Sequence, residues 1–126
     1  MKTDFLKNKN NIPLVLTSFF EVIDAVKQSH LKTEGKSYAK HMALGALYDS
    51  LEDLVDTFIE SYQGKYGIVD FDIVSVKTVN IKSFLENRVV YFENSYDLFK
   101  DSYMKNQLDA IIQEIYHCLY KLNNLL

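Results

Sequence analysis

Apolar residues recur three and four apart over most of the chain. In HMALGALYDSLEDLVDTFIE, residues 41–60, Leu44, Leu47, Leu51, Leu54 and Phe58 form one stripe, and Tyr48, Val55 and Ile59 widen it towards one flank. That is the pattern of an amphipathic helix with one face in a core, and it predicts a helix over 37–62. An earlier stripe, Leu16, Phe19, Phe20, Ile23, Val26 and His30, predicts a helix over 13–30 that opens on Pro13, a residue suited to a first turn. Phe84, Leu85, Val89, Phe92, Tyr96 and Phe99 predict a third helix over 81–99. Met104, Leu108, Ile111, Ile115, Cys118, Leu119 and Leu122 predict a fourth over 102–125.

The connections set the expected topology. The link LKTEGKS is short, as is the one near residue 100, so the helices they join are antiparallel neighbours. QGKYGIVDFDIVSVKTVN, with two glycines and a β-branched run, reads as a long loop between helices two and three. A loop of that length can cross a bundle from end to end, so the expected fold is all-α, a four-helix bundle with a ferritin-like long connection. Residues 1–12 are expected to be a flexible leader and 13–126 a single domain.

Composition narrows the function classes. At 126 residues, 48% hydrophobic and 25% charged, the chain has the make-up of an ordinary globular domain, and its single proline and four glycines leave few helix breaks. No apolar run approaches the length of a membrane span, and no hydrophobic signal region opens the sequence, so no membrane partner and a cytoplasmic location are expected. The net charge of −3 argues against a dedicated nucleic-acid binder. Only Lys2, Lys7 and Lys9 in the leader offer phosphate contacts, which would make any DNA binding weak. Cys118, the single cysteine, is expected to be a buried structural thiol.

Candidate chemistry gathers beside the stripe of helix two. Five carboxylates lie between Asp49 and Glu60, and His41, Glu52, Asp56 and Glu60 share a flank. His30 and His41 stand about one turn either side of the hairpin link, so their imidazoles, which suit iron, zinc and copper, should stand at similar height. Asp56 and Glu60 are four apart and can grip one ion. Fifteen residues of helix, however, put Asp56 about 22 Å from His41. One chain cannot bring these groups together. Two copies can, if helix two packs antiparallel on itself about a two-fold axis near Asp49 and Ser50. A second motif, Glu114-Ile-Tyr-His117, is a single E-x-x-H where a di-iron bundle needs two, and His117 falls off the apolar stripe.

The offsets from His41 to Asp56 and Glu60, fifteen and nineteen, together with the preceding His30, resemble the Dps family of miniferritins, over about residues 14–62. The stretch SYAKHMALGALYDSLEDLVDTFIESYQGKYG also looks like a set of small uncharacterised phage proteins related to that fold. The resemblance implies an intersubunit iron site in which His30 and His41 of one copy face Asp56 and Glu60 of another. It also implies Fe(II) oxidation and storage, and a homo-oligomer that extends from a two-fold dimer to a dodecamer. Zinc or another divalent metal would suit the same donors. Gly45 stands where the family carries an aspartate, Leu31 replaces its usual tryptophan, and Asp49 and Glu52 are further candidate ligands. The alternative, from a different class, is an inactive phage structural or interaction protein on the same bundle, in the host cytoplasm or the virion.

Overall fold

The computed structural model describes residues 11–33, 37–77 and 79–126, and all regular structure among them is helical. Four helices, α1 (Ile12–Leu31), α2 (Tyr38–Tyr66), α3 (Ile81–Asn94) and α4 (Ser102–Asn124), form an all-α bundle. A single 3-10 turn, Tyr96–Leu98, lies between α3 and α4. No described helix is long and apolar enough to cross a membrane. The leader lysines Lys2, Lys7 and Lys9 lie outside the described residues.

Each helix packs on two others, in a square ordered α1, α2, α4, α3. The end of α1 meets the start of α2 at His30 and His41, so this pair is antiparallel. Arg88 pairs with Glu21 at 3.4 Å, and Phe92 packs on Phe19 at 5.0 Å, while Ile81 lines a cavity with Ala25. α3 is therefore antiparallel to α1 and parallel to α2. Cys118 Sγ donates to the Ala43 carbonyl at 3.7 Å, and Lys65 pairs with Asp101, so α4 runs antiparallel to α2.

The core is built where apolar stripes from all four helices meet. Phe19 packs edge-on against Phe58 at 5.1 Å, and Phe58 does the same with Phe99 at 5.1 Å. Such pairs add roughly 0.5–1.5 kcal/mol each beyond the area they bury. Cys118 is buried, as expected, and burial pushes its thiol up to about 11.

Three local expectations change. The buried face of α1 is Ile12, Val15, Leu16, Phe19, Val22, Ala25 and Val26, while Phe20 and Ile23 are only partly covered. Phe20 instead stacks on Phe71 of the 67–80 connection at 5.8 Å, so the stripe serves two neighbours rather than one. α2 runs a turn further than expected, to Tyr66, and stops at Gly67, whose φ of 90° suits glycine. α3 stops at Asn94, short of residue 99, because Ser95 turns its hydroxyl back onto the Tyr91 carbonyl at 2.8 Å.

The connection that leaves Gly67 is held by side chains rather than by a sheet partner. Asp72 N–H donates to Thr17 Oγ1 at 3.1 Å, and Val76 N–H donates to Asp24 Oδ2 at 2.8 Å. Gln28 Nε2 donates both to the Val76 carbonyl at 2.7 Å and to Asp24 Oδ2 at 2.8 Å. The segment thus follows α1 from its first turns to its last and delivers the chain to Asn80, whose side chain accepts from Ser83 N–H at 3.1 Å and caps α3.

Candidate metal centre

His30 and His41 meet across the α1–α2 hairpin. Their rings stack at 4.0 Å between centroids with 18° between planes. His30 Nδ1 donates to the His41 carbonyl at 2.8 Å, and His41 Nδ1 donates to the His30 carbonyl at 2.9 Å. A carbonyl oxygen only accepts, so in each ring Nδ1 carries the proton. In the neutral imidazole the lone pair then resides on Nε2, the atom that ligates metals. A ring N–H given to a backbone carbonyl is also the usual way a metal-ligating histidine is oriented. Both residues are half-buried, which limits their rotamer freedom.

Gly45 explains how the pair fits. A Cβ placed on it would fall 2.7 Å from His30 Cε1 and 3.1 Å from His30 Nδ1. The glycine costs the helix about 1 kcal/mol relative to alanine, and in exchange His30 lies directly on the α2 backbone. A glycine inside a strongly periodic helix is a sequence signal that could have marked this close approach.

The acidic flank stands apart from the histidines. Asp49, Glu52, Asp56 and Glu60 are all exposed. Glu52 Oε1 accepts the Tyr48 hydroxyl at 2.8 Å, a bond that raises the tyrosine's pKa, and Lys27 Nζ lies 4.1 Å from the Tyr48 ring centre. Among the described residues no three histidine, cysteine or acidic side chains of one chain group closely enough to hold a metal ion. Thus Asp49 and Glu52 do not complete the histidine pair within one copy. Nor do Val55 and Ile59 offer a second apolar face, because both are buried in the chain's own core at 1% and 7% exposure. Of the three residues expected to widen the stripe, only Tyr48 is left on the flank. His117 is exposed on α4, and Glu114 is half-buried beside it.

A family model described as a family of unknown function (DUF5856) matches residues 30–122. The chain belongs to DUF5856. The matched span opens on His30 and includes His41, Gly45, Asp56 and Glu60, the side-chain-held connection and nearly all of α4. Neither the curated proteins nor the solved structures contain a match to this DUF5856 chain.

Proposed function

We propose that this DUF5856 protein is a Dps-like metal-binding bundle. Its His30–His41 pair is the imidazole half of an iron site, and Asp56 and Glu60 of a second copy supply the carboxylate half. The observation that carries the reading is the pair of reciprocal Nδ1-to-carbonyl bonds, which leaves two Nε2 lone pairs on one stacked unit. The course of the 67–80 connection beside α1, with α2 and α3 parallel, supports a ferritin-like bundle. The partner is required by length, since Asp56 lies about 22 Å along α2 from His41. Soft and borderline divalent metals such as zinc suit the imidazoles, and carboxylates favour Fe(III) once iron is oxidised.

The test is anaerobic Fe(II) titration followed by native mass measurement. Two ions per dimer are expected, with binding lost in the His30→Ala/His41→Ala variant. Uptake that survives this double substitution, or a protein that remains monomeric at micromolar concentration, overturns the proposal. Native mass also reads whether dimers assemble further, towards the dodecamer of a storage shell.

A second reading is favoured by the same hydrogen bonds. The histidines satisfy two backbone carbonyls at the hairpin, a structural clasp that needs no metal, as suits a phage structural or interaction protein on this bundle. In that case Fe(II) and Zn(II) leave the native protein's mass and melting temperature unchanged, and only His30→Ala and His41→Ala destabilise it.

A further inference from the structure

At the end of the bundle where α1 finishes and α3 begins, a cavity of about 400 Å³ opens between the four helices and the connection. Four lysines line it, Lys32, Lys40, Lys77 and Lys82, over a floor that includes Val79 and Leu122. Among the described residues no acidic side chain shares that lining. Among the described residues none of the four ammonium groups lies within 4.0 Å of a carboxylate. In a chain with net charge −3 this concentrates four of its 14 basic residues on one concavity. The carboxylate of Asp24 is engaged by Val76 N–H and Gln28 Nε2, so it is spent holding the wall of the cavity.

From this arrangement we infer that the cavity binds an organic phosphate: a phosphorylated small molecule whose anionic end meets the lysines and whose apolar part rests on Val79 and Leu122. The volume lies within the range of small-ligand sites, which pair an apolar lining with a few polar groups. Four like charges around one concavity repel each other, and a polyanion relieves that repulsion. The amino end of α3 adds its partial positive charge to the same side. The walls come from α1, α2, the connection and α3, so a bound anion would also brace the strap against the bundle.

ATP, inorganic pyrophosphate and adenosine, titrated calorimetrically at low salt, test this directly. ATP is expected to saturate the site more tightly than pyrophosphate, adenosine to give no heat, and rising salt to weaken both anions. Lys77→Glu/Lys82→Glu reverses two exposed charges and places an acidic residue in the first turn of α3, where it favours the helix, so the fold is retained. It should weaken ATP by about tenfold or more, while Lys105→Glu on α4 leaves affinity unchanged. No saturation by either anion at about 1 mM, or equal ATP affinity in Lys77→Glu/Lys82→Glu, overturns the inference. A single-stranded oligonucleotide that competes far more strongly than ATP overturns it in favour of nucleic acid.

Discussion

The imidazole of His30 fills the space that a side chain at Gly45 would need, with only 2.7 Å between a Cβ there and His30 Cε1. The missing side chain on α2 and the histidine on α1 are two halves of one fit. An acidic residue at this position, as in the miniferritin pattern, would have to displace the ring.

Gly45→Ala measures that fit. Alanine gains about 1 kcal/mol of helix propensity over glycine, but the displaced His30 loses its hydrogen bond to the His41 carbonyl, which costs about the same. The expected net change in unfolding free energy is close to zero. In a His30→Ala background, where the space is open, the same substitution should stabilise by about 1 kcal/mol. Urea unfolding of the four proteins at one concentration gives the coupling. A full gain in the wild-type background would mean the ring does not depend on Gly45.

Mixed dimers test the proposed intersubunit site. A His30→Ala/His41→Ala copy lacks the imidazoles, and an Asp56→Asn/Glu60→Gln copy lacks the carboxylates. Each variant alone should bind no iron. Unfolded together and refolded, half the dimers are mixed, and each of those carries one intact site, so about one quarter of wild-type binding returns. Without such recovery, the four residues do not act across a two-fold interface.

Asp24→Ala removes the acceptor that holds the connection at Val76. The part-buried Val76 N–H is left without its partner, with an expected loss of about 1 kcal/mol. Amide hydrogen exchange locates the effect. Val76 should lose protection while Leu108 and Ile111, in the middle of α4, keep theirs relative to global stability. Unchanged exchange at Val76 would show that Phe71 and its packing on Phe20 hold the segment without Asp24.

Asp101 gives a pH signature. Lys65 Nζ donates to one carboxylate oxygen and the Tyr66 hydroxyl to the other at 2.5 Å. The lysine first, and then the tyrosine, hold the Asp101 carboxyl below its ordinary value of 3.8. Its folded-state pKa is thus the lower one. The stabilisation is present above the unfolded value and is lost as pH falls through the folded value. The same contact raises Lys65, whose share is lost only when pH rises past the ordinary lysine range. Asp101→Asn should lower stability at neutral pH and flatten its decline as pH falls below the ordinary carboxylate value of 3.8. Chemical unfolding at several pH values reads the slope, and an unaltered slope would mean solvent screens the contact completely.

Much of the bundle was readable from periodicity, because a helix with one buried face must repeat its apolar residues every three or four positions. The nearness of His30 and His41 was readable too, since a short hairpin fixes which residues stand level. What escaped was whatever depends on two elements at once. The burial of Val55 and Ile59 is decided by how the other helices pack on α2, and the partial cover of Phe20 by the path of Phe71. The Nδ1-to-carbonyl exchange needs ring orientations that no spacing encodes. The lysine cavity draws Lys32, Lys40, Lys77 and Lys82 from separate segments, so no local run of charge announces it.

The connection from residue 67 to residue 80 has a consequence for the integrity of the chain. Asp70, Asp72, Ile73, Ser75 and Lys77 are exposed along it, and the polar contacts of the Val69, Asp72 and Val76 backbone go to side chains. A protease should therefore find its first target there. Cleavage would divide the molecule into two helical hairpins, one ending at Tyr66 and the other starting at Ile81. Phe92 on Phe19 and Cys118 at Ala43 belong to the surface between them. The nicked protein should therefore remain one particle, its halves joined without a covalent link and separable only by denaturant.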